Sequence, residues 1–165
     1  MILPDLLKYQ PTWNNARRYL GEDVNPVLTY LLLLRAGNNL EVLFTPFFEE
    51  YELSDGRFSV LMCLFDAPGQ VMPPSQLADS LGVTRATITK LLESLERSGL
   101  VERQLNPSDR RVWLITLTSQ ARVLLEKMLP SHFQRIKRVM EIFSIEDQEQ
   151  LVSLLLKLEA HLATI

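Results

Sequence analysis

Two groups of side chains in this 165-residue chain are suited to an acidic, grooved partner. The first is Thr84, Arg85, Thr87, Thr89 and Lys90. On a helical wheel drawn over 84–98, Ile88, Leu91, Leu92 and Leu95 fall on one side. Ala86, Thr87, Thr89, Lys90, Glu93 and Arg97 fall on the other. The N-terminal half of that polar face is small and hydroxylated, which would let the helix end approach the floor of a DNA major groove. A threonine hydroxyl can bond a base edge or a phosphate, and its methyl can touch a thymine methyl. Arg85 lies toward the edge of the face and suits a phosphate, which a helix N-terminus also favours. An ordinary solvated amphipathic helix has the same pattern, so context has to decide. The second group is Asp109, Arg110 and Arg111. Two adjacent arginines at an exposed turn repel each other and gain little from folding, whereas a tip arginine in a narrow minor groove meets enhanced negative potential. Asp109 is expected to hold Arg111 extended through a charge-assisted bond. The alternative is a solvated turn with incidental charge.

The elements that would position these groups lie in one stretch, SQLADSLGVTRATITKLLESLERSGLVERQLNPSDRRVWLITL, residues 75–117. Pro73-Pro74 opens a short helix with Leu77, Ala78 and Leu81 inward, Gly82 ends it in a left-handed conformation, and Thr84 caps the next helix. Residues 101–105 and 111–117 read as strands. The second alternates, with Val112, Leu114 and Thr116 on one side and Trp113, Ile115 and Leu117 on the other. Asn106-Pro107-Ser108-Asp109 between them is turn chemistry. Helix, tight turn, helix and basic hairpin, in that order, make a winged helix-turn-helix.

Outside this stretch the pattern is helical. Residues 1–23 are mixed and predict one or two short helical pieces. Asn25-Pro26 predicts a helix start, with Asn as N-cap, and the helix should run to about Phe44. It is apolar on nearly every side from Val27 to Leu34, and a helix apolar all round must be covered all round. A partner subunit is the natural cover. Thr45-Pro46 repeats the signal and predicts a separate short helix ending near Tyr51. Ser54 caps the next helix, which carries Phe58, Val60, Leu61, Leu64 and Phe65, and Val71-Met72 predicts a very short strand. Thr118 caps a long helix that Pro130 should kink or break. Ser144 with Asp147 forms a capping box for a last helix that reaches about Ala163.

Composition narrows the function. Net charge is −3, so this is no globally basic nucleic-acid coat. From Thr84 to Arg111, six basic residues face four acids, a local +2. That excess is modest, and charge alone would not identify a DNA binder. The one cysteine, Cys63, allows no intrachain disulfide and fits a reducing compartment. The start, MILPDLLKYQ, does not read as a signal peptide, and LTYLLLL is too short to span a bilayer. A soluble cytoplasmic protein without membrane contact is expected. No nucleophile–base pair, Gly-rich phosphate loop or metal spacing marks an enzyme, and no cofactor is expected. His132 and His161 stand far apart with no ligand cluster around them. Cys63 lies among Leu61, Met62, Leu64 and Phe65, where a cysteine is usually a small buried hydrophobe and not a redox sensor.

SQLADSLGVTRATITKLLESLERSGLVER, the NPSDRR wing and the L-T-S-Q-A entry into a long helix resemble the MarR family of bacterial transcription regulators. The closing SIEDQEQLVSLLLKLE is similar to that family's dimerisation helix. The likeness runs in order over 26–162 and is strongest over 77–118. It implies a mainly α fold with a small antiparallel β wing. A winged helix-turn-helix DNA-binding lobe (54–117) would lie between N-terminal (24–53) and C-terminal (118–165) dimerisation helices, after an N-terminal extension (1–23). It also implies a homodimer on a pseudo-palindromic DNA operator, a repressor released by a small aromatic or lipophilic effector. Thr84, Arg85, Thr87, Thr89 and Lys90 map onto the reading helix, and Asp109 and Arg111, flanking Arg110, onto the wing's Asp-x-Arg pair. Two positions depart from the family pattern: Pro73 stands where a hydroxyl cap is usual, and Ala121 where glycine is usual. Tyr9, Trp13, Tyr30, Phe44, Phe47 and Phe48 offer aromatic surface for an effector pocket, although such spacing more often serves a dimer core. The competing reading is a winged-helix protein–protein interaction module that binds no DNA.

Overall fold

The computed structural model describes residues 10–21, 25–107, 109 and 111–165. By its internal contacts the chain divides between Asp55 and Gly56. The first unit holds α1 (Gln10–Leu20) and α2 (Asn25–Glu49). Phe47 and Phe48 of α2 are buried, with ring centroids 5.6 Å apart edge to face, and Tyr51 meets Phe47 in the same manner at 5.3 Å. Tyr9 and the Trp13 side chain lie outside the described residues.

The expected break at Thr45-Pro46 does not occur. The helix that starts at Asn25 runs through Pro46 to Glu49. Thr45 is no N-cap: its hydroxyl donates to the Glu41 carbonyl at 2.9 Å, one turn back. A proline removes one amide and crowds one carbonyl, and the burial of Phe47 and Phe48 just beyond it outweighs that cost. Taken whole, α2 is long and apolar enough by length and composition to cross a membrane, with mean hydropathy 1.2 over its best window and none of that window buried. Tyr30, Leu32, Leu33, Leu34, Val42 and Leu43 are all exposed along it.

The second unit begins with α3 from Gly56 onward (α3 spans Asp55–Asp66) and a single 3₁₀ turn, Pro68–Gln70. There follow β1 (Val71–Met72), α4 (Pro74–Ser80), α5 (Arg85–Arg97), β2 (Val101–Leu105), β3 (Trp113–Leu117), α6 (Ser119–Met140) and α7 (Ile145–Leu162). The three strands form one antiparallel sheet in the order β1-β3-β2. Leu61 and Leu64 of α3, Leu77 of α4, Ile88, Leu92 and Leu95 of α5, Ile115 of β3 and Leu125 and Met128 of α6 are fully buried and form the core. The second strand begins at Trp113, two residues later than its alternation predicts.

Pro130 does not break α6, which is helical from Ser119 to Met140. Leu125 and Met128 before it and His132 after it are buried, so both halves are held by packing worth more than the roughly 3 kcal/mol a helical proline costs. The His132 ring lies edge-on to Phe58 of α3 at 4.7 Å. Ahead of α7 the capping box is present: the Ser144 hydroxyl accepts from the Asp147 amide, and Asp147 accepts from the Ser144 amide at 3.0 Å. The Ser144 hydroxyl, which donates to the Asp147 carboxylate at 2.8 Å, and after it the Ser144 amide hold that carboxyl below its ordinary pKa. No buried residue lies on α7.

Candidate nucleic-acid interface

The reading helix is aimed by two tight stops. Gly82 closes α4 with φ 62°, its amide bonding Asp79 while the Val83 amide reaches the Ala78 carbonyl at 3.1 Å. Gly99 closes α5 in the same way, with φ 69° and the Leu100 amide on the Leu95 carbonyl at 2.9 Å. Both are Schellman motifs, which need a left-handed residue that glycine adopts without strain. Between them Ile88, Leu92 and Leu95 are buried, while Arg85, Ala86, Thr87, Thr89, Lys90, Glu93 and Arg97 are exposed, as the helical wheel places them.

Hydrogen bonding limits what each hydroxyl can offer. Thr84 is the N-cap: its Oγ1 accepts from the Thr87 amide at 3.1 Å. Thr84 and Thr87 hydroxyls also bond each other at 2.9 Å, so the pair keeps one hydroxyl hydrogen for an outside acceptor. The Thr89 hydroxyl donates back to the Arg85 carbonyl at 2.8 Å. It therefore presents lone pairs and a methyl outward, and suits an amino group or a thymine methyl. Pro73 caps α4 without a side-chain bond, so the N-cap position of that helix offers no hydroxyl.

At the wing, the β2–β3 register runs from Val101↔Leu117 to Leu105↔Trp113. The turn is ordered by the Asn106 amide on the Val112 carbonyl at 2.9 Å and the Val112 amide on the Asp109 carbonyl at 3.0 Å. Asp109 does engage Arg111, but through the backbone: its Oδ1 accepts from the Arg111 amide at 3.0 Å. The expected charge-assisted bond is thus made to the backbone amide as an Asx turn, which orients the chain at Arg111, whose side chain is exposed. Arg110 lies outside the described residues.

Three cross-links that sequence reading missed hold this apparatus together. Arg103 Nε of β2 meets Glu96 Oε2 of α5 at 2.9 Å, which fixes the wing against the reading helix. An Arg57 Nη2 of α3 donates to the Ser98 hydroxyl at the end of α5 at 2.6 Å. Arg122 of α6 donates to Gln70 Oε1 at 2.6 Å and to the Leu117 carbonyl at 3.2 Å, joining the turn before β1 and the end of the central strand β3 to α6. Each partner lies on a different element, so no local spacing announces them. Arg85, Lys90 and Arg97 of α5 and Arg111 of the wing turn are all exposed.

The MarR family profile matches residues 53–113, the helix-turn-helix and most of the wing. The HTH-type transcriptional repressor YetL of Bacillus subtilis is 36% identical, with 94% of this chain and 93% of YetL aligned. The chain belongs to the MarR family. Among solved structures, the MarR family regulator Sco3205 of Streptomyces coelicolor, determined in complex with DNA, superposes with a TM-score of 0.80 at 20% identity, over 84% of this chain and 92% of that one. BpsR of Bordetella bronchiseptica, whose DNA binding is regulated by 6-hydroxynicotinic acid, gives 0.73 at 26% identity, over 86% and 96%. This MarR-family chain is a DNA-binding transcription regulator of a non-enzymatic family whose members dimerise. Its mainly helical fold with a small antiparallel wing is the family's own.

Proposed function

We propose that this regulator acts in the cytoplasm as a homodimeric repressor on a pseudo-palindromic operator. Each subunit lays α5 in a major groove. Thr87, Thr89 and Lys90 reach base edges, Thr84 and Arg85 hold phosphate, and Arg111, presented by Asp109, enters the flanking minor groove with Arg110 beside it. The observation that carries this reading is the pairing of an exposed, hydroxylated helix start with an arginine held by an ordered wing turn. A second copy is the cover for the exposed apolar side chains of α2 and, separately, of α7. Repression is supported by the likeness to YetL. Release by a small aromatic or lipophilic compound is supported by the likeness to BpsR.

The test is fluorescence anisotropy with the duplex upstream of the chain's own gene and with random duplex, across a salt series, beside Arg111→Ala. Tight, salt-steep binding to a specific duplex, weakened by about 1–3 kcal/mol in the variant, is the expected result. If a genome-fragment selection also recovers no preferred duplex, the winged helix is a protein-contact module instead.

A further inference from the structure

We propose that Leu105 and Trp113, at the outer end of the wing, form an apolar shelf for the deoxyribose–phosphate strand that separates the groove holding α5 from the groove holding Arg111. The proposal rests on the DNA reading above and adds a contact to it. The two residues are direct cross-strand partners, and each is 48% exposed. The next pair outward is bonded through the Asn106 amide and Val112 carbonyl. By antiparallel alternation, Leu105 and Trp113 are therefore the non-hydrogen-bonded kind, whose side chains approach most closely.

The pair ends a row. Leu117, Ile115 and Trp113 share one face of β3, and Val101, Arg103 and Leu105 share that face of β2. Leu117, Ile115 and Val101 at its root are buried, and Arg103 in its middle is fastened to Glu96 of α5. The face that carries Trp113 is thus the face on which α5 lies, and the row runs from α5 out toward the Arg111 turn. An apolar pair half in water gains little from folding there. β2 is also an edge strand, and it carries Glu102 and Arg103, the kind of charge that blunts natural edges against association.

Between a helix in one groove and a wing in the next stands the sugar–phosphate strand. Deoxyribose presents C–H faces on which an indole and a leucine can pack, and the indole N–H can donate to a phosphate oxygen. Arg111 on the wing turn and Arg97 at the end of α5 are both exposed and match an acidic strand. A second copy of this chain, net −3 over 165 residues, is far less acidic than a duplex with one charge per about 1.7 Å.

Trp13 and Trp113 are the two tryptophans, so Trp13→Phe with selective tryptophan excitation leaves Trp113 as the single indole emitter. The probe is the tightest duplex recovered from a randomised pool. Saturating duplex should change Trp113 emission and its iodide quenching, with the same midpoint as the anisotropy titration. Trp113→Ala should weaken binding about tenfold without changing the salt slope, because no phosphate-neutralising cation is lost. Trp113→Phe should recover most of the loss. Unchanged emission and quenching at saturation, or wild-type affinity in Trp113→Ala, overturns the shelf. So does emission that responds to dilution of the free protein and not to duplex, which assigns the pair to a second copy. If the shelf fails while Arg111→Ala still weakens binding, the DNA reading stands. If the pool yields no duplex, both fail.

Discussion

The Asx turn at the wing makes a sharp test, because Asp109 has two opposed effects on DNA binding. Its Oδ1 accepts from the Arg111 amide at 3.0 Å and holds the turn that presents Arg111. A hydrogen bond of this kind contributes about 1 kcal/mol net. Its carboxylate charge also repels phosphate. At roughly 8 Å in water that repulsion is about 0.5 kcal/mol before salt screening. Asp109→Ala loses the bond and the repulsion together, so binding should weaken about twofold. Asp109→Asn keeps an Oδ1 acceptor and loses only the charge, so binding should tighten about twofold. The two variants should differ by about 1 kcal/mol, or roughly fivefold in Kd. The gap works through Arg111, so it should shrink in an Arg111→Ala background. Anisotropy titrations of the four single and double variants at fixed salt measure all of this. Equal binding by the Ala and Asn variants, or a gap undiminished without Arg111, would refute the reasoning.

Leu156 of α7 is 65% exposed, and burying most of a leucine is worth about 1–2 kcal/mol per copy. Two copies make that about 2–4 kcal/mol, so Leu156→Asp should raise the dimer dissociation constant at least about thirtyfold in sedimentation velocity, with helicity retained; an unchanged constant removes α7 from the interface. Thr84→Ala deletes the N-cap bond to Thr87, and denaturant unfolding should show a loss of about 1 kcal/mol. Thr84→Ser should restore it. The depressed Asp147 carboxyl is a stabilising group above the ordinary carboxylate pKa, and its contribution is lost as pH falls through the lowered folded value. Unfolding of α7, followed by amide exchange across the acid range, should track that loss, and Asp147→Asn should flatten the dependence.

Much of this fold was legible because its signals are local. Thr84 capping Thr87, Gly82 ending α4 and the Ser144–Asp147 box each join groups a few residues apart, so the necessary partners are adjacent in the chain. The inward side of α5 follows from helical periodicity, while alternation divides β3 into two faces, of which the fold buries the one with Ile115 and Leu117. The exposed threonines, Lys90 and Arg111 were readable for the same reason: a position that periodicity removes from the core has to face outward.

By itself, then, the sequence determined which segments are helix or hairpin and which side chains the reading face presents, since both depend on neighbours within a turn or two. Tertiary structure decided the rest. Whether Pro46 and Pro130 end a helix depends on whether nearby burial, just beyond Pro46 and on both sides of Pro130, exceeds the cost of one lost hydrogen bond, and no local pattern carries that balance. The short strand at Val71 was foreseeable, but its pairing with Thr116 was not. The Asp109 bond to the Arg111 amide and the Glu96–Arg103 pair that holds the wing on α5 also required the folded chain, because a side chain's choice among several partners is settled by distances that exist only after folding.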